Sequence, residues 1–66
     1  MKPMDFVQFK KWIRSHGYSV GYSTKHHVVL DSNGMVVAFF AVSHKASGKD
    51  YVKPAYIAKI KKELGL

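Results

Sequence analysis

Apolar residues recur every three or four positions near the start of the chain, which predicts a first helix over Met4–His16. The apolar stripe consists of Phe6, Phe9 and Ile13, with Trp12 beside it. Asp5 and Gln8 occupy the positions of a capping box, in which two side chains satisfy free amides of the first turn. Gly17 suits the residue that ends a helix.

The pattern then changes to that of strands. Alternation over Tyr18–Tyr22 predicts a first strand with a bulge or exit at Gly21. A valine-rich run over His26–Asp31 predicts a second strand, and Met35–Ser43, almost wholly apolar, predicts a third that is covered on at least one face. The Ser32-Asn33-Gly34 segment between them is typical of a hairpin turn, because Asn-Gly tolerates positive φ.

After a predicted polar loop, His44–Asp50, a second helix is expected. Pro54 suits its first turn, and Gly65 suits the position just past its end. Its apolar stripe consists of Ile57, Ile60 and Leu64. The pattern therefore predicts an α+β fold of α-β-β-β-α order. Its three-stranded antiparallel sheet carries both helices on one face, because each helix must bury its stripe.

The composition narrows the class of protein. Sixty-six residues make a single domain, 1–66, and there is no cysteine for a disulfide or thiolate site. The longest apolar run, Met35–Val42, is far below the ~20 residues of a membrane span, so we expect a soluble, cytoplasmic protein that does not bind membranes. Eleven Lys and Arg against four acids give a formal charge of +7. This excess favours a polyanionic partner, nucleic acid first and an acidic protein second.

Three stretches together resemble the HicA-type mRNA interferase toxins. They are the amphipathic helix Phe9–Gly17, the segment Ser23–His27 that leads into a β-rich run, and the basic ending Lys59–Leu66. The resemblance implies a double-stranded-RNA-binding-like fold and RNA cleavage without a metal or other cofactor. It also implies a single catalytic histidine and an acidic HicB-like antitoxin as partner.

The catalytic role implied by the resemblance maps best onto His26, nine residues after Gly17, with His27 as the alternative. Histidine suits this chemistry because it titrates near neutral pH and can take the proton of a 2′-hydroxyl. Strand alternation sends the two rings to opposite faces, so one of them packs while the other is free. Both are equally consistent with ordinary polar residues at a strand edge. His44, at the start of the polar loop, is a further histidine able to approach the site, and the spacing matches no metal-ligand pattern.

Cationic residues in the second half of the chain predict RNA contacts through phosphates. Together with two residues beside the histidine pair, the candidates are Thr24, Lys25, Lys45, Lys49, Lys53, Lys59 and Lys62. A solvated helix face is the plainer reading of the last two. Three functions remain open from the residues: a ribonuclease toxin, a non-catalytic RNA-binding module and a protein-interaction domain.

Overall fold

The computed structural model describes residues 2–66 and confirms an α+β fold with two helices. The helices are α1 (Phe6–Ser15) and α2 (Pro54–Leu64). The strands are β1 (Met4–Asp5), β2 (Ser19–Ser23), β3 (His26–Leu30), β4 (Val36–Phe40), β5 (Val42–His44) and β6 (Asp50–Val52). They form two antiparallel three-stranded sheets, in the orders β2-β3-β4 and β1-β6-β5. Among residues 2–66, neither helix has the length and apolar character that crossing a bilayer requires.

The larger sheet contains the three predicted strands. Gly21 pairs regularly with Val28, so the predicted bulge at Gly21 is wrong, and the irregularity lies instead where β3 meets β4, between Val29 and Leu30. Glycine also gives room at position 21. A Cβ atom there would lie 3.1 Å from Leu30 Cδ1, so the leucine side chain would have to move by a few tenths of an ångström.

The turn between β3 and β4 forms at the predicted residues. The Asp31 carboxylate accepts hydrogen bonds from the backbone amides of Asn33 (2.8 Å) and Met35 (3.0 Å). The Asp31 amide also donates to the Met35 carbonyl across the hairpin (3.0 Å). These bonds fix the register in which β4 leaves the turn.

Both helices pack on one face of the larger sheet, as predicted. The buried core contains residues from both helices, from β3 and β4, and from β6: Phe9, Ile13, Val29, Ala38, Phe40, Val52, Ile57 and Ile60. Seven of these eight lie in the predicted helices or strands, because burial of one face imposes the helical and strand periods. Val52 is the member that lies outside the predicted elements.

The helix ends agree with the pattern except at the first cap. Gly65 adopts a left-handed φ of 69°, and the Leu66 amide donates to the Lys61 carbonyl, which closes the end of α2. Asp5 stands at the N-cap of α1 but makes no capping hydrogen bond, so the predicted capping box is wrong. Its carboxylate instead lies 3.5 Å from Lys45 Nζ.

The smaller sheet was not predicted, and it revises two expectations. The expected single strand Met35–Ser43 is divided at Ala41: its first part pairs with β3, and its second part, β5, pairs with β6. The expected loop His44–Asp50 is a tight hairpin turn whose ends are paired, with the Lys45 amide donating to the Lys49 carbonyl at 2.8 Å. Strands of two and three residues are too short to show an alternating pattern, and this is why β1 and β6 were missed.

Candidate nucleic-acid interface

The adjacent histidines lie on opposite faces of the larger sheet, as strand alternation predicts. His27 faces the helices. Its ring stacks on Phe40 at 5.5 Å and meets the edge of Phe6 at 5.3 Å and the ring of Tyr22 at 4.9 Å, measured between centroids. His26 is exposed on the other face, where its ring meets Phe39 edge-on at 6.2 Å.

These surroundings separate the roles of the two rings. His27 is half-buried between aromatic side chains and contributes to packing. His26 is the one that reaches solvent, which favours it over His27 as a proton-transfer group. Within residues 2–66, however, no side chain makes a hydrogen bond to the His26 ring, so nothing there selects its tautomer or holds its orientation.

A third histidine does have such a partner. His44 and Asp50 are directly opposite each other in the β5–β6 ladder, and His44 Nδ1 lies 2.5 Å from Asp50 Oδ1. A carboxylate accepts a hydrogen bond from Nδ1–H, so Nε2 is left with its lone pair directed away from Asp50. The His44 side chain is 77% exposed and that of Asp50 is 41% exposed. The pair is therefore oriented and accessible.

Sequence reasoning named His44 only as a residue able to approach the site, and it missed Asp50. The sequence does contain a signal for this contact: His44 and Asp50 flank five residues, Lys45–Lys49, which include Gly48 and have the length of a hairpin turn. Two residues that flank a short hairpin turn face each other across it, and their side chains share one face.

A cleft of about 690 Å³ lies beside this pair. It is bounded by the first turns of α1 and by the β5–β6 turn, and its lining residues are Asp5, Phe6, Val7, Gln8, Lys10, Lys11, Gly48, Lys49 and Asp50. Three of them are lysines. Within residues 2–66 none of the three forms a salt bridge, whereas Asp5 is paired with Lys45 and Asp50 with His44. The unpaired ammonium groups of Lys10, Lys11 and Lys49 therefore dominate the charge of the cleft.

A row of aromatic rings leads from the cleft toward His27. Phe6 lines the cleft and lies against His27, and Lys10 Nζ is 4.7 Å from the centroid of the Phe6 ring. Next to His27 lies Tyr22, which is 61% exposed. Exposed aromatic rings beside lysines are the combination on which single-stranded bases stack while their phosphates are neutralised. The other three tyrosines are partly buried.

The predicted RNA contacts do not all lie together. Lys49 lines the cleft, and Lys45 lies in the same turn, with its Nζ 5.7 Å from the Tyr51 ring. The remaining predicted residues, Thr24, Lys25, Lys53, Lys59 and Lys62, are exposed but do not line it. Lys10 and Lys11 do line it, and sequence reasoning assigned them only to the polar side of the first helix.

Comparisons of this chain with protein-family models, curated proteins and solved structures gave no match. Across residues 2–66 no three His, Cys, Asp or Glu side chains gather in a way that would hold a metal ion.

Proposed function

We propose that this protein binds RNA in the cleft between α1 and the β5–β6 turn. The observation that carries the proposal is the set of three lysines without carboxylate partners, Lys10, Lys11 and Lys49, beside an exposed aromatic surface. The formal charge of +7 adds a long-range attraction for any polyanion. Phosphates would meet the lysines, and bases would stack near Tyr22.

The proposal includes cleavage of the bound RNA without a metal, as in the HicA-type toxins that the sequence resembles. Cleavage needs a group that takes the proton of a 2′-hydroxyl and cations that stabilise charge on the phosphate. The resemblance gives the first role to His26, and its exposure supports that assignment over His27.

The test is to incubate the purified chain with RNA in the presence of a chelator and to map the ends of the products. The wild type should give 5′-hydroxyl and cyclic-phosphate ends, and His26→Ala should give none. His27→Phe keeps an aromatic ring against Phe6 and Phe40, so it serves as the matched variant and should still cleave. If His26→Ala cleaves as fast as the wild type, His26 is not the catalyst.

A non-catalytic RNA-binding module on the same fold is the second candidate, and one observation favours it. His26 has no hydrogen-bond partner within residues 2–66, whereas catalytic histidines are normally oriented by a neighbouring group. Such a module would bind RNA with a steep dependence on salt and leave it intact.

An acidic antitoxin of HicB type is the protein partner that we propose. Its carboxylates would meet the same three lysines, so it would compete with RNA for the cleft. Competition is directly measurable, because a polyanionic peptide rich in Asp and Glu should displace labelled RNA, and a peptide of the same length without acids should not.

A further inference from the structure

We infer that His44, oriented by Asp50, is the catalytic base for RNA bound in the cleft in place of His26, an inference that rests on the proposed RNA binding and cleavage. His44 is the one histidine within residues 2–66 whose ring is held by a carboxylate. That carboxylate belongs to a residue that lines the cleft, next in the chain to Lys49. Neither His44 nor His26 lines the cleft itself, but His44 contacts a residue that does, so a phosphodiester held by the lysines would lie beside the His44–Asp50 pair.

The backbone keeps the two side chains together. His44 and Asp50 are the last paired residues of β5 and β6, and the turn that follows is closed by bonds from the Lys45 amide to the Lys49 carbonyl (2.8 Å) and from the Gly48 amide to the Lys45 carbonyl (2.9 Å). Opposed residues of an antiparallel pair have Cβ atoms about 5 Å apart, which suits a direct contact between imidazole and carboxylate. The geometry is therefore a property of the hairpin and does not depend on bound RNA.

The chemistry follows from the hydrogen bond. The Asp50 carboxylate accepts a hydrogen bond from Nδ1–H of His44, so the lone pair on Nε2 is free to take the proton of a ribose 2′-hydroxyl. The 2′-oxygen then attacks phosphorus, and the bond from phosphorus to the 5′-oxygen breaks. The leaving 5′-oxygen takes a proton from water, the imidazolium returns its proton to solvent, and the products are a 2′,3′-cyclic phosphate and a 5′-hydroxyl. Lys49 would stabilise the charge that develops on the phosphate oxygens.

Asp50 acts through His44 and is a positioning residue, so its removal has a distinctive signature. Replacing it with Asn allows the amide NH₂ to donate to Nδ1, which favours the tautomer whose Nε2 carries a proton and cannot act as a base. The same change removes a negative charge from the cleft. Asp50→Asn should therefore lower kcat while RNA binding is maintained or strengthened, a split that a general loss of structure would not produce.

Glu63 offers a charge-matched control away from the cleft. Glu63→Gln removes one negative charge from an exposed residue of α2 that does not line the cleft. It should leave kcat unchanged, so a fall in kcat for Asp50→Asn reports the contact with His44. His16→Ala provides a second control for loss of a histidine, because His16 is exposed at the end of α1 against Trp12.

The experiment measures kcat, KM and binding for the wild type and for four variants, His44→Ala, Asp50→Asn, Glu63→Gln and His26→Ala, with circular dichroism to verify folding. His44→Ala should lower kcat by on the order of 10²–10⁴-fold, and Asp50→Asn should lower it by about tenfold or more with no increase in KM. The His44 side chain is 77% exposed, so its loss should leave the fold intact. His44→Gln is the second variant if alanine disturbs the hairpin.

Each outcome decides between the two proposals. If His44→Ala cleaves at the wild-type rate while His26→Ala is inactive, the inference is overturned and the proposed function stands. If the wild type binds RNA with salt dependence but never cleaves it, cleavage and the role of His44 both fail, and RNA binding stands. If the wild type does not bind RNA, the proposed function fails and takes this inference with it.

Discussion

Replacing the three cleft lysines should change how RNA binding depends on salt. Lys10, Lys11 and Lys49 line the cleft without a carboxylate partner within residues 2–66, so each is free to neutralise one phosphate. For single-stranded RNA, each neutralised phosphate contributes about 0.7 to the slope of log affinity against log salt concentration, so three lysines account for about 2 units. Substitution by Gln removes the charge and keeps most of the side-chain length.

The magnitude is large enough to measure. Between 50 and 200 mM salt, a slope difference of about 2 means that the wild type should lose roughly 20-fold more affinity than the triple Gln variant. Fluorescence anisotropy with a labelled 2′-O-methyl oligonucleotide is the suitable assay, because that ligand lacks the 2′-hydroxyl and cannot be cut by the proposed reaction.

A second triple variant separates the cleft from overall charge. Gln at Lys25, Lys59 and Lys62 removes the same three charges, and either triple variant carries +4 instead of +7. None of these three residues lines the cleft, so the slope should fall much less. An equal fall in both variants would refute a localised site, and no fall in the cleft variant would show that these lysines do not contact phosphates.

Three further predictions concern stability and are checked by urea unfolding. Ile60 is fully buried on the side of α2 that faces the core. Its replacement should therefore lower the free energy of unfolding by about 2–5 kcal/mol for Ile60→Ala and by about 0.5–1.5 kcal/mol for Ile60→Val; equal effects would contradict the packing. His27→Ala should shift the midpoint more than His26→Ala, because His27 is half-buried against three aromatic rings whereas His26 is exposed beside Phe39 alone; a larger shift for His26→Ala would contradict this difference in burial. Asp31→Ala should cost about 1–2 kcal/mol by leaving two turn amides without their acceptor, whereas Asp31→Asn keeps an acceptor oxygen and should cost less.

The sequence predicts those elements of the fold in which apolar residues recur with the period of a helix or a strand. Both helices follow from stripes that are buried, and the β3–β4 turn follows from Asn33-Gly34 between two apolar runs. Periodicity reports burial on one face, and burial of that face is what stabilises these elements. The opposite orientation of His26 and His27 followed in the same way.

The parts that escaped prediction depend on contacts between distant segments. Nothing local in Met4–Asp5 favours a strand, and the pair becomes one only because it lies against β6, almost fifty residues later. The carboxylate of Asp5 was expected to cap α1, yet it faces Lys45. Tertiary contacts determine these conformations and override the local sequence preference, so a local motif shows only which residues could form such a contact.

The unpredicted small sheet is also what creates the candidate site. Because β6 pairs with β1 on one side and with β5 on the other, the start of α1 is brought beside the β5–β6 turn. That placement sets Lys10 and Lys11 opposite Lys49 and leaves the cleft between them. It also sets His44 across from Asp50 at the turn end of the hairpin. If residues 44–50 were a loop, nothing in the sequence would relate Lys49 to His44. Because the segment is a hairpin, the two residues lie on one small structural unit beside the cleft. This is why we propose proton transfer by His44, which the hairpin orients, in place of His26, which the resemblance favours.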